Sequence, residues 1–430
     1  MSQKSKKKVP ELRFSEFNGD WEPKYLDQIG DFKNGFNADK QAFGTGTEFI
    51  NLMDIFGKSE IRKTYLGRVE IHQNQLEQYK IQKGDILLVR SSVKREGVGQ
   101  SCLVNDDFED TVYSGFIIRF REKFNTLYHL YKKYCFSEPS FRKEILAFAT
   151  SSANTNINQD SLSQILLFYP SIAEQEKIAS FLGAVDIRLT QLRRKRDRLQ
   201  TYKRGVMQKI FSQVVRFKSA IGSGFPDWEE EKLGEVLDWV KTNSLSRENL
   251  NYDSGIVQNI HYGDIHGKFK SQFRLKDEEV PYITDLEFVS NLDDESFCKV
   301  GDLVIADASE DYADIGKTIE IIEVEPKKLV AGLHCFIARP KENLLTVGFS
   351  GYLFQTENVR NQIRKIAQGI SVLGISKFNL GNILLPYPRP LEQEKIANFL
   401  TAIDRKIEAI SRQLDRTEQF KKGLLQKMFV

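Results

Sequence analysis

Glu174-Gln175-Glu176-Lys177-Ile178-Ala179-Ser180-Phe181-Leu182 returns, almost unchanged, as Glu392-Gln393-Glu394-Lys395-Ile396-Ala397-Asn398-Phe399-Leu400. At the same offset Asp186 meets Asp404, Asp197 meets Asp415, Lys203-Arg204-Gly205 meets Lys421-Lys422-Gly423, and Phe211 meets Phe429. A repeat of this length organises the whole chain, so it is read before any single motif.

Within the first copy Ile178, Leu182, Val185, Leu189, Leu192, Leu199, Val206 and Ile210 fall on alternating four- and three-residue steps. The second copy places Ile396, Leu400, Ile403, Ile407, Ile410, Leu414, Leu424 and Met428 in the same way. That spacing is the apolar seam of a coiled coil. Ser171 with Glu174 three residues on predicts a capping box, and Pro390 suits a first helical turn. At 1.5 Å per residue a helix from Glu174 to Phe211 is roughly 55 Å long. Two readings of these helices stay open: an antiparallel pair carrying one domain at each end, or two core helices of separate domains.

Upstream of each helix the halves echo one another more faintly. Ile165-Leu166-Leu167-Phe168-Tyr169-Pro170 corresponds to Ile383-Leu384-Leu385-Pro386-Tyr387-Pro388, a closing strand in each half. Gly84-Asp85-Ile86-Leu87-Leu88 resembles Gly301-Asp302-Leu303-Val304-Ile305, a turn leading into a buried strand, and Asp20-Trp21 resembles Asp227-Trp228. The expected architecture is α+β: two mixed α/β domains separated by a long antiparallel two-helix coiled coil. Its boundaries fall at 1–170 and 216–388 for the domains, and 171–215 and 389–430 for the helices.

At 430 residues the chain has room for two domains, and 62 Lys and Arg against 59 Asp and Glu leave a net charge of only +3. A nucleic-acid surface must then be local. The four cysteines, Cys102, Cys135, Cys298 and Cys335, stand far apart, which argues for reduced thiols rather than a zinc ribbon or disulfide framework. No apolar run reaches the roughly 20 residues that span a bilayer, so a cytoplasmic location without membrane contact is expected. The basic start Met1–Lys8 reads as a tail, with a phosphate contact as the alternative.

Catalytic motifs are missing. There is no Pro-Pro dipeptide for an adenine methyltransferase turn, and Gly316-Lys317-Thr318 has Asp311 where a phosphate-binding loop needs glycine. Pro226-Asp227 with Glu230-Glu231-Lys232 is spaced too tightly for a nuclease carboxylate set and repeats the domain opening. His261 and His266 lack further ligands and are expected in a polar loop, so no metal is assigned.

Carrying Pro10-Glu11-Leu12-Arg13-Phe14 with Asp20-Trp21, the Gly-Asp strand entries and two Glu-Gln-x-Lys-Ile-Ala helices, the chain resembles the specificity subunits of type I restriction-modification systems over nearly its whole length. The helix motif, present twice behind dissimilar domains, is the specific element. The resemblance implies a non-catalytic subunit whose two target-recognition domains read the halves of a bipartite double-stranded DNA sequence. Its helices would dock two methyltransferase subunits, through positions such as Glu174, Lys177, Phe181, Glu392, Lys395 and Phe399, and restriction subunits would join that assembly. S-adenosylmethionine, ATP and magnesium would belong to those partners, with no cofactor in this chain.

Base reading needs donors and acceptors on loops. In the first domain Arg90, Ser91, Ser92, Lys94 and Arg95 follow a buried strand, and Asn154 and Asn156 lie in the polar segment Ser151–Asn156. In the second, Asp307, Ser309, Gly369 and Ser371 stand at the counterpart positions and are far less basic, so Lys268, Lys270 and Arg274 are candidates for phosphates, or for a solvated strand face. The run Arg193-Arg194-Lys195-Arg196 with Arg198 either meets DNA between half-sites or faces an acidic partner.

Overall fold

The repeated segments form helices Ile172–Phe211 and Pro390–Lys427 in a computed structural model that describes residues 9–151, 154–324, 327–342 and 344–430. The chain divides into two compact units, residues 1–193 with 412–430 and residues 194–411, so each unit holds part of both helices. The basic start and residues Ser152 and Ala153 lie outside the described residues.

Inside each unit the two helix segments run antiparallel. In the first, Lys421 reaches Asp186 at 2.6 Å and Arg193 reaches Glu418 at 2.6 Å, so later positions of one helix meet earlier positions of the other. In the second, Lys203 meets Asp404 at 2.7 Å. The expected seam is the buried one: Ile178, Leu182, Leu189 and Leu192 in the first unit, and Ile396, Leu400, Ile403 and Ile410 in the second, are all in the core. Each such side chain removed from water contributes about 1.5–3 kcal/mol.

Both units use one sheet order. In the first the strands run Gly30–Asn34, Ile117–Glu122, Ile86–Val89, Ser101–Val104, Glu60–Ile61; in the second, Leu237–Val240, Cys335–Pro340, Leu303–Ala306, Thr318–Glu323, Gln272–Arg274. All pairings within these sheets are antiparallel except that of the last strand, which is parallel to its neighbour. Strands Ile86–Val89 and Leu303–Ala306 are buried at every position, as continuous apolar runs require. The glycine ahead of each adopts a left-handed turn, with φ of 94° at Gly84 and 93° at Gly301. The following aspartate closes that turn, accepting the Gln82 N–H or the Lys299 N–H at 2.7 Å. Each then takes a two-pronged ion pair, Asp85 from Arg121 and Asp302 from Arg339.

The closing strands Leu166–Tyr169 and Leu384–Tyr387 pair antiparallel with the opening strands Glu22–Tyr25 and Glu229–Lys232. This placement sends Glu229–Lys232 into a ladder rather than into a carboxylate cluster. Trp21 packs edge-on to Phe429 with centroids 6.0 Å apart, and Trp228 packs likewise on Phe211 at 5.9 Å. All four cysteines are buried free thiols, and burial pushes the Cys102 thiol up to about 12.

Candidate nucleic-acid interface

The repeated helix motif works inward. Glu174, 1% exposed, takes both prongs of the Arg13 guanidinium at 2.8 and 2.7 Å, and Glu392, 0% exposed, takes Arg216 at 3.2 and 2.7 Å. The hydrogen bond to each glutamate, opposed by a little desolvation, raises the pKa of its arginine. This corrects two expectations: Glu174 serves Arg13 rather than a capping box, and neither glutamate has surface to offer a partner. Gln175 is also fully buried. Its amide donates to the Thr126 and Pro170 carbonyls at 3.0 and 2.9 Å and accepts the Tyr128 N–H at 2.7 Å. Gln393 repeats all three bonds with Leu344, Pro388 and Thr346. Lys177 pairs with Glu16 and lies 5.2 Å over the Phe14 ring, while Phe181 meets Phe14 edge-on at 5.8 Å. Lys395 lies 5.8 Å over Phe225, and Phe399 packs on Phe217 at 5.7 Å. All six residues expected to meet another subunit thus make contacts within their own unit, while Lys177 and Phe181 also keep exposed surface.

The candidate reading positions of the first unit converge. Past Val89 the chain leaves the sheet, and Ser91–Ser92 forms a short strand that pairs with Thr155–Asn156, more than sixty residues on, which in turn pairs with Thr150–Ser151. Arg90 is half-buried, donating to the Gly115 carbonyl at 3.2 Å while its own carbonyl accepts the Ile157 N–H at 3.0 Å. Asn156 donates to the Asn154 carbonyl at 2.9 Å. Lys94 and Arg95 are exposed beside this edge, with Arg95 reaching the Leu146 carbonyl at 3.2 Å. One polar edge results, with Lys94 and Arg95 exposed on it and Arg90 half-buried.

The second unit builds the same edge from other residues. Ala308–Ser309 pairs with Leu373–Gly374, and the bonds between Gln368 and Gly374 close a hairpin whose tip carries Gly369 and Ser371. Gly369, at φ 126°, sits where a Cβ would collide with the Val372 carbonyl. Ser371 is exposed. Ser309, by contrast, is 5% exposed and its hydroxyl is bonded to the Asp311 backbone, which removes it from base contact. Asp307 is held by the His334 ring at 3.1 Å; burial raises its pKa against the opposing pull of that histidine.

Of the lysines and arginine assigned to phosphates, only Arg274 lies on a strand, and all three are engaged internally. Lys268 pairs with Asp264 at 3.3 Å, Lys270 with Glu408 at 2.8 Å and Arg274 with Glu323 at 3.7 Å. Nor do His261 and His266 lie in a loop. His261 caps the helix Tyr262–Gly267, which contains His266, and both rings pack against Tyr262, as does His334. Arg247 joins them through Asp264 at 2.8 Å and the His261 ring at 3.2 Å. Arg247, Tyr262 and His334 carried no sequence signal, since they are spread along the chain and meet only through sheet pairing.

A second hidden pair anchors the recognition loops. Arg142 is half-buried and donates to the Glu96 carbonyl at 2.9 Å; its repeat counterpart Arg360 donates to the Ala313 and Ile315 carbonyls at 2.9 and 2.7 Å. Burial lowers the pKa of both. Each loop closes on a left-handed glycine with φ 65°, Gly99 or Gly316, whose Cβ position is filled by Ile145 or Ile363. Gly316-Lys317-Thr318 is therefore a loop-closing turn, and Thr318 begins a strand rather than a helix.

The geometry defines a class: a duplicated α/β protein, in which one frame presents two chemically different polar edges. Among the described residues no three His, Cys, Asp or Glu side chains gather as a metal site, and no helix is long and apolar enough to cross a membrane. The chain belongs to the type I restriction modification DNA specificity family, whose domain matches residues 18–200 and again 226–419. It is a non-catalytic specificity subunit with two target-recognition domains. A Methanocaldococcus jannaschii protein provisionally named type I restriction enzyme MjaX specificity subunit is 25% identical over 419 residues, covering 94% of this chain and 92% of the relative. The MjaVIII specificity subunit of the same organism is 26% identical over 283 residues, 63% of this chain and 62% of that one. In fold, the chain matches the S subunit of a type I system from M. genitalium at TM-score 0.57 and 16% identity, covering 98% and 99% of the two chains. A chain solved in work on complex assembly and conformational transition of the type I R-M system matches at TM-score 0.56 and 17% identity, covering 95% and 97%.

Proposed function

We propose that each unit reads one half of a bipartite double-stranded DNA target through the edge described above, and that the chain confers this choice on methyltransferase subunits docked to its long helices. One observation carries the reading: the same two backbone segments are zipped together in both units, yet Arg90, Ser91, Lys94 and Arg95 stand on one edge where Asp307, Ala308 and Glu310 stand on the other. Frames that repeat while their polar edges diverge suit the reading of two different sequences.

Docking excludes the buried Glu174 and Glu392 and draws on the exposed Lys177 and Phe181 together with other helix positions. In the first unit Ile187, 62% exposed, is such a position; in the second, Tyr202, 52% exposed, and the exposed Arg194, Lys195 and Arg198 are others. Restriction subunits would join the same assembly. S-adenosylmethionine, ATP and magnesium would be bound by the partners. A gel-shift assay with cognate duplexes, run with and without the methyltransferase subunits, tests the reading. Sequence-selective retardation that depends on this chain is expected, and methylation of the same sites without it would overturn the proposal.

A further inference from the structure

The second unit contains a cavity of about 480 Å³ between its helix segment, the turn around Gly316 and the helix Glu357–Ile366. Lys203, Arg204, Lys317, Arg360 and Arg364 line it, with Asp314 and Glu357 as the carboxylates among them. Lys203 is held by Asp404, Lys317 donates to the His266 carbonyl and lies 3.6 Å from Asp314, and Arg364 pairs with Glu357 at 2.9 Å, so among the described residues Arg204 and Arg360 have no carboxylate partner. Positive charge is in excess even when Asp404 is included.

Two of these guanidinium groups have buried donors without acceptors. Arg360 is 8% exposed, and while its Nη2 reaches two carbonyls its Nη1 finds no acceptor among the described residues; the Nε of Arg364 is likewise unmatched. Both donors are closed to solvent and so report packing, as the matching Arg142 Nη1 of the first unit does; what calls for an anion is the surplus of five cations over three carboxylates around the cavity. A guanidinium pair flanked by lysine matches a phosphate, whose oxygens accept from several directions at once.

The accumulated charge is particular to this unit. Arg360 has its counterpart in Arg142, whose Nη1 is unmatched as well, but Gln100 and Leu146 stand where the second unit has Lys317 and Arg364. The unit whose reading edge lacks basic residues therefore gathers cations from three elements: Lys317 at the end of the loop that continues from Ser309, Arg360 and Arg364 on the helix Glu357–Ile366, and Lys203 and Arg204 on the long helix.

We propose that this cavity is a phosphate-binding site; that the phosphate is a phosphodiester of the DNA backbone rests on the function proposed above. The test compares the full-length chain with a Lys317→Gln/Arg364→Leu variant, which installs the residues the first unit already tolerates at these places. Two readouts are taken: phosphorus-31 line broadening of inorganic phosphate, and the salt dependence of duplex binding by fluorescence anisotropy. The expected result is loss of the broadening and a salt slope lower by about one unit, the contribution of one phosphate contact. A lower slope without any broadening also supports the site and assigns it to the phosphodiester. Lost broadening with an unchanged slope supports a phosphate site filled by a free phosphate or nucleotide. If the parent chain binds phosphate but no duplex, the site stands and the DNA reading fails. Both readouts unchanged between parent and variant overturn the proposal. Should the double variant misfold, Arg204→Ala on the exposed helix surface is measured in the same way and judged by the same outcomes.

Discussion

Gln175→Leu removes a side chain of similar volume from a fully buried position and with it three hydrogen bonds to backbone. The Pro170 carbonyl is buried and cannot turn to water, so its loss costs about 1–3 kcal/mol; Thr126 and Tyr128 are half-buried and lose about 1 kcal/mol each. The sum, about 3–5 kcal/mol, comes entirely from polar groups, because leucine keeps the packing volume. For a unit of this size each kcal/mol moves the unfolding midpoint by about 2–4 °C, so a drop of roughly 10 °C is expected by calorimetry. Gln393→Leu should behave alike, since its three bonds are the same in kind. Lys195→Ala, on an exposed helix surface, is the control and should leave the midpoint within a degree or so. A loss below about 1 kcal/mol for Gln175→Leu would refute the argument that this motif clamps each domain to its helix.

Lys94→Ala with Arg95→Ala should weaken duplex binding and lower its salt slope by about one unit for each phosphate these side chains neutralise; an unchanged slope excludes both residues from the interface. Gly316→Ala places a Cβ against Ile363 at a left-handed φ, so the second unit should lose at least about 1–2 kcal/mol in denaturant titrations, and the same change at Gly267, which has open space, much less. Burial pushes the Glu320 carboxyl up to about 7 against the pull of the Gly351 and Gly348 N–H groups, so the folded state holds its proton where the unfolded chain, near 4.5, has released it. Stability contributed by that proton is present below the unfolded value and is lost as pH rises towards 7, so Glu320→Gln should flatten the fall in unfolding midpoint between about pH 5 and 7.5. An unaltered pH profile would place the titration elsewhere.

The duplication, the two helices and their seam were legible in the sequence because they depend on local periodicity. Ile178, Leu182 and Leu189 announce a buried stripe wherever they are found, and the Gly-Asp entries announce a tight turn and a buried strand. The loops at Arg90–Arg95 and Asn154–Asn156 were also identifiable as polar segments, although nothing local showed that Ser92 and Thr155 would become strand partners.

What a charged side chain of the repeated motif faces is another matter, and there tertiary structure decided. Glu174 and Lys177 read as a helix surface, yet the segment around Arg13 and Phe14 folds back and occupies that surface, turning the motif into an internal clamp. Ser309 and Lys270 have the chemistry of DNA contacts, but the turn at Asp311 and the carboxylate of Glu408 engage their donors. The cations around Arg360 are scattered over more than 150 residues of sequence and gather only when helix, turn and sheet are packed together. Periodicity is a property of neighbours along the chain and survives without a fold; the partner that satisfies a charge or a buried donor is a neighbour in space, and only packing supplies it.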